Sequence, residues 1–266
     1  MSTFSEEHKQ YLHKIKRRKR NIFITQLSII ISVIIIWELL AQLNIINTFL
    51  YSSPSNMIKT IFNLFSDNSL FNHIFVTSYE TIISFVISFI IGLIIAIILW
   101  WNEFLSKVFD PYLTIINSLP KVALGPLIII WVGASINSII VMSLMISLII
   151  TCINLYNSFN NTDKNYITLL RTFKANKKDI FFKVVLPSNK VNIINAMKIN
   201  MSMNFIGVIM GELLVSKEGL GYLIMYGSQV FNINLVITSI VILAIISTLF
   251  YYLITLLERN LISDLH

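Results

Sequence analysis

The stretch "LLRTFKANKKDIFFKVVLP" (Leu169–Pro187) sets one Arg, four Lys and an Asp among evenly spaced apolar residues. Long oily runs stand on both sides, about 137–158 before it and 188–213 after it. Such a passage reads as two short amphipathic helices. Asn161 or Thr162 caps the first, with Asp163 in its first turn, and Leu169, Leu170 and Phe173 form its apolar face. Asn176 caps the second, Asp179 stands near the capping-box position, and Ile180, Phe181, Val184 and Val185 line it. Pro187 closes the motif and opens the next apolar run. Two such helices at a right angle present a knob to a partner. The plainer alternative is a solvated basic loop.

The flanking runs are part of a wider pattern. The chain of 266 residues is 56% hydrophobic and 12% charged, with a mean hydropathy of +0.77, whereas a soluble domain carries about 25% charged residues. Its solvent is therefore largely lipid. A bilayer core of about 30 Å needs roughly 20 apolar residues per helix. Six stretches qualify, approximately 22–43, 80–101, 108–132, 137–158, 188–213 and 232–256. The expected fold is all-α, a polytopic membrane protein of six transmembrane helices.

Orientation follows the basic residues. "KIKRRKR" (Lys14–Arg20) precedes the first span, and Lys164, Arg171, Lys174, Lys177, Lys178 and Lys183 fall in the 159–187 loop. The loops at about 44–79 and 214–231 hold only Lys59 and Lys217. Both termini are expected in the cytoplasm. The net charge of +7 thus reflects topology and not nucleic-acid binding. The first span is too long for a cleaved signal peptide and no small-residue cleavage site follows it. The expected organisation is a basic N-terminus (1–21), a six-helix domain (22–262) and a short cytoplasmic tail (263–266).

In the first external loop, Ser53 and Pro54 suit a helix start. Met57, Ile58, Ile61, Phe62 and Phe65 then form one stripe, predicting an interfacial helix within 50–66. Gly92-x-x-x-Ala96 and Gly207-x-x-x-Gly211 are close-packing signals between helices. The third span holds Pro120, Gly125 and Pro126, which kink a helix and expose backbone groups; it is the first candidate for a pathway wall. Lys121, roughly 18 Å into that span at 1.5 Å per residue, and Lys198 in the fifth are costly at membrane depth. Either attracts an anion in the pathway or pairs with a carboxylate on another helix. Glu38 lies in the first span. Glu212, near the outer end of the fifth, shapes an outer gate or a docking surface. Trp100, Trp101 and Trp131 mark interfacial belts. The only cysteine, Cys152, is a small packing residue, and His8, His13, His73 and His266 form no ligand cluster. Neither a catalytic constellation nor a G-x-x-x-x-G-K phosphate loop is visible, so the expected chain is no enzyme.

Leu169–Pro187 also resembles the EAA loop of permease subunits in bacterial ATP-binding-cassette importers. Arg171, Thr172, Phe173, Ala175, Val184, Leu186 and Pro187 fit that loop, whereas Thr168, Leu169 and Leu170 occupy the Glu-Ala-Ala positions and Lys174 the usual Gly. A side chain in a left-handed turn there costs about 1 kcal/mol, which Asn176 relieves by taking the turn. "SSPSNMIKTIF", "DPYLTIINSLPKVALGPLIIIWVGAS" (Asp110–Ser135) and "GELLVSKEGLGYLI" (Gly211–Ile224) are similar to the nitrate/sulfonate/taurine branch. The resemblance covers about 50–262. It implies a bacterial inner-membrane subunit that couples to ATPase subunits through this loop, with Phe173, Phe181 and Leu186 as contacts. It further implies an extracellular solute-binding protein, a second copy of the chain, and ATP and Mg held by the ATPase partner, with no cofactor here. The implied substrate is an organic anion such as an aliphatic sulfonate or taurine, or nitrate; a vitamin-precursor pyrimidine and bicarbonate are the alternatives. A self-sufficient secondary transporter or channel is the rival reading, and a membrane anchor without transport a second.

Overall fold

Helix α7 (Ile136–Asn160) is the axis around which the chain packs, with α4 (Ser69–Trp101) and α11 (Lys190–Val215) lying along it. The computed structural model describes residues 6–262, and all regular structure among these is helical. In chain order the other elements are α1 (Glu6–Gln42), α2 (Thr48–Tyr51), α3 (Pro54–Ser66), α5 (Glu103–Ser118), α6 (Gly125–Val132), α8 (Lys164–Thr172), α9 (Lys177–Ile180), α10 (Leu186–Ser188), α12 (Leu220–Gln229) and α13 (Ile233–Ile262). Five helices are long and apolar enough to cross a membrane; counted as one span, the bent pair formed by α5 and the 121–132 segment brings them to six. The expected tail, 263–266, lies outside the described residues.

Close approach explains the axis. An ideal Cβ on Gly207 would stand 2.3 Å from the Cα of Ser143, and one on Gly211 2.9 Å from the Cα of Ile139. From α4, a Cβ on Gly92 would meet Thr151 Cγ2 at 3.1 Å, and Ala96 is fully buried. Lipid offers apolar side chains no gain over one another, so backbone proximity and interhelical hydrogen bonds must hold the helices together. Both small-residue pairs seen in the sequence therefore face α7.

The third span departs from expectation. It does not run on through a kink: α5 and the following segment meet at 81°. Leu119 is extended (ψ 141°), Pro120 follows, and Lys121–Leu124 form a 3-10 turn before α6. Pro126 lies in the first turn of α6, where its missing N–H leaves no bond unmade. Pro120 thus sits between helices and Pro126 starts one; neither interrupts a rod.

Helix α1 stands apart, with none of its most apolar window buried. Its tie to the rest is Glu38, whose carboxylate accepts from Ser55 N (3.1 Å) and from Ser55 Oγ. A charge in the apolar span therefore caps α3 at its positive end. Helix α3 begins as the sequence predicts, with Ser53 Oγ accepting from Asn56 N at 3.2 Å and Pro54 next. Its stripe splits: Met57 and Ile61 turn inward, while Ile58, Phe62 and Phe65 remain exposed.

Candidate functional site

The loop between α7 and α11 is built from two capped helices. Asp163, and neither Asn161 nor Thr162, caps α8, its Oδ1 accepting from Asn165 N at 2.8 Å. Thr162 is buried instead; its hydroxyl accepts from Asn189 Nδ2 (2.8 Å) and ties the start of the loop to its end. Helix α9 starts at Asn176, whose Oδ1 accepts from Asp179 N at 2.8 Å. Asp179 pairs with Lys183 at 2.9 Å, and that hydrogen bond holds its carboxyl below the ordinary value.

Between the helices Lys174 itself adopts the left-handed conformation, at φ 54°. The turn does not pass to Asn176, which is extended at φ −75° and ψ 169°. Lys174 N donates to Arg171 O (2.9 Å) and Ala175 N to Leu170 O (3.0 Å), the paired bonds of a Schellman ending, a position that glycine normally fills. Leu170 and Ala175 pack on the same core cluster, completing the motif. We expect Lys174→Gly to keep or raise the thermal midpoint, because relief of about 1–2 kcal/mol of left-handed strain opposes a smaller entropic loss. Lys174→Val should lower it, and a thermal melt in detergent distinguishes the two.

The nominated contact residues divide by exposure. Phe173 is 74% exposed and Leu169 55%, with Arg171, Lys174 and Pro187 also outward. Leu170, Ala175 and Leu186 are half-buried. Phe181, at 1% exposure, is not a surface contact. Its ring packs 4.9 Å from Trp100, 6.0 Å from Trp101 and 5.6 Å from Phe159. Lys177 closes this cluster, donating to Trp101 O at 2.6 Å and lying 5.4 Å from the Trp100 ring centroid. Trp100 and Trp101 thus do more than mark an interface: they anchor the loop. Tyr166 and Phe182, 57% and 54% exposed, share the outer surface. The helical spacing around Phe173 and Phe181 could have pointed to both.

The pathway candidates separate as well. Lys121 Nζ donates to Asn117 Oδ1 across the break (3.1 Å), half-buried and paired with no carboxylate among the described residues. Lys198 instead forms an inter-helix ion pair with Glu258 of α13 at 2.6 Å, beside the Tyr251 ring. That carboxylate removes the reason for assigning Lys198 to the pathway. Glu212 is 1% exposed and fastens a turn: it accepts from Thr77 Oγ1 (2.6 Å) and Gly221 N (2.5 Å), and adjoins Glu80 of α4. Thr77 Oγ1 also accepts from Leu220 N (2.8 Å), and His73 Nδ1 from Gly219 N (3.0 Å). Gly219, at φ 99°, leaves no room for a Cβ against the Glu212 carboxyl. Glu80 and His73 carry no sequence signal for this clasp.

The largest omission from the sequence reading is a buried network at mid-bundle. Asn204 Nδ2 donates to Ser88 Oγ (3.0 Å), Asn200 O (2.8 Å) and Asn200 Oδ1 (3.0 Å), while its Oδ1 accepts from Ser143 (2.7 Å) and Ser147 (3.1 Å). Asn200 Nδ2 reaches Thr151 Oγ1 at 2.6 Å. Spacing of four residues, in Ser84-Ser88-Gly92-Ala96 and Ser143-Ser147-Thr151, is the signal that could have found it.

A helical bundle of apolar, membrane-length helices with a broken third span and a capped loop before the fifth defines a polytopic membrane protein. Residues 88–263 match the protein family described as "Binding-protein-dependent transport system inner membrane component", and the chain belongs to that family. It is 26% identical over 231 residues to the protein described as the aliphatic sulfonates transport permease SsuC of Bacillus subtilis (strain 168), covering 87% of this chain and 84% of that one. It is 27% identical over 188 residues to the formylaminopyrimidine transport permease ThiX of Halalkalibacterium halodurans, covering 71% and 74%. Its fold is similar to a chain of the MetNI methionine ABC transporter in an inward-facing conformation, with a TM-score of 0.62 and 21% identity over 73% of this chain and 94% of that one.

Proposed function

We propose that this permease subunit of an ABC importer moves a small organic anion, of the aliphatic sulfonate class, and is driven through Leu169–Pro187 by separate ATPase subunits. The observation that carries the reading is the exposed aromatic surface of a loop that is otherwise rigidly fastened. Phe173, Tyr166 and Phe182 face solvent while Phe181 holds the loop from behind. A large apolar side chain on a fixed turn suits insertion into a partner's groove, where a few central residues dominate binding. In this reading the loop and both termini are cytoplasmic, in keeping with the distribution of Lys and Arg. ATP and Mg belong to the ATPase partner. Pairing with a second copy of the chain is part of this reading. An extracellular binding protein delivers the solute. The substrate class is supported by Lys121 at the break and by the aliphatic sulfonates in the description of SsuC.

Phe173→Asp tests the coupling. We expect the variant to purify with an unchanged melt, to lose about 2 kcal/mol or more of affinity for the ATPase subunit, and to lose uptake. Retained co-purification and uptake would refute the reading. For the substrate, uptake of radiolabelled aliphatic sulfonate is expected; uptake of a pyrimidine alone overturns the anion assignment.

A further inference from the structure

Behind the loop lies a cavity of about 660 Å³, walled by Trp100, Tyr156 and Phe159 and by the cations Lys164, Arg171 and Lys177. Ser106, Asn160 and Thr168 add hydroxyl and amide groups. The one carboxylate in its wall, Glu103, is engaged by Lys107 at 2.8 Å, outside the cavity lining. Lys164 and Arg171 have no carboxylate partner among the described residues. The ammonium of Lys177 is held in place over Trp100 and by Trp101 O. Three cations and one carboxylate leave the hollow net positive, and an anion seated there offsets that charge.

The position narrows the anion. Trp100 and Trp101 end α4, a helix long and apolar enough to cross a membrane, so the cavity lies where hydrocarbon gives way to headgroups. Basic pockets at that level suit phospholipid headgroups. The volume is far larger than an inorganic ion requires and falls in the range of small-molecule sites. Arg171 offers a planar fork to two phosphate oxygens, and lysines serve as point charges.

We propose that this cavity binds the phosphate of an anionic lipid headgroup, and that the bound lipid braces α8 against α4 and α7. The inference does not depend on the ATPase docking reading, because it concerns the chain alone. The full-length chain in non-ionic detergent would be titrated with phosphatidylglycerol, phosphatidylcholine and inorganic phosphate, following tryptophan fluorescence from the cavity wall. Saturable binding of phosphatidylglycerol in preference to phosphatidylcholine is expected. The double variant Lys164→Gln/Arg171→Gln should bind it roughly thirtyfold more weakly, while Arg171→Lys keeps part of the affinity. Lys178→Gln/Lys190→Gln removes the same charge outside the cavity lining and should leave binding unchanged. Equal loss in both double variants, or no preference for the anionic lipid, overturns the site. Saturation by inorganic phosphate alone, abolished by Lys164→Gln/Arg171→Gln, keeps the phosphate chemistry and overturns the lipid as its source.

Discussion

Replacing Gly207 by valine is expected to leave no folded protein to purify. The first carbon of any side chain there would lie 2.3 Å from the Cα of Ser143, against backbone that cannot rotate away. Helices α7 and α11 would have to separate, and the packing on both sides of Gly207 would be lost with them. Overpacking in a dense interior costs about 1–3 kcal/mol and occasionally more. A clash with backbone belongs at the upper end, a large part of the stability of a typical domain. Gly92→Ala is the informative contrast, because its Cβ meets the Thr151 side chain at 3.1 Å and comes no nearer than 3.4 Å to backbone. Size-exclusion profiles of fluorescently tagged variants should show aggregate for Gly207→Val and a monodisperse peak for Gly92→Ala. A monodisperse, normally melting Gly207→Val would mean that α7 and α11 do not meet here.

Asn204→Leu should be the next most damaging change, although it adds apolar surface to an apolar bundle. The Asn204 side chain makes five hydrogen bonds, to Ser88, Asn200, Ser143 and Ser147. Three of these cross between helices; interhelical hydrogen bonds within membranes average about 0.6 kcal/mol each, so those three are worth roughly 2 kcal/mol. Leucine also takes one donor from Asn200 Oδ1 and is wider than asparagine beside Gly207. The expected result is a clear fall in thermal midpoint, with Asn204→Gln recovering little because the longer side chain shifts every donor. Asn192→Leu, on the same helix and outside the network, should have a much smaller effect. Equal melts for Asn204→Leu and Asn192→Leu would show that the network adds nothing to stability.

These two predictions show which features the sequence makes legible. Lipid demands long apolar runs, so the spans can be read within a few residues at most ends; α4 and α1 extend further because polar residues can prolong a helix beyond the bilayer. Glycine and alanine at four-residue spacing point to close packing, and Gly92, Ala96, Gly207 and Gly211 all face α7. Proline marks the third span as irregular, but its position does not reveal whether the chain kinks or breaks; Leu119 in extended conformation decides for a break. Asparagines 200 and 204 look like costs in an apolar helix until their partners on two other helices are known. Lys198 and Lys121 are equivalent in sequence, and only the placement of Glu258, 60 residues away, separates them. In the loop, amphipathic spacing finds Phe173 and Phe181 together but cannot say which one faces the solvent.

The connection from the loop into the bundle is continuous. From α9 the chain passes through the widened turn at Phe181–Val185 and through α10 into α11 without an extended residue. Asn189, at the last junction, still donates its N–H to Val185 O (3.2 Å) and Leu186 O (3.3 Å). On the other side, Asp163 leads into α8 with non-helical backbone, and Asn176, extended, leads into α9. The two halves of the loop are therefore joined differently to the bundle: α8 is entered through a non-helical residue, whereas α9 runs on into α11 through helical backbone. The helix that α9 runs into, α11, is the one that meets α7 backbone to backbone at Gly207.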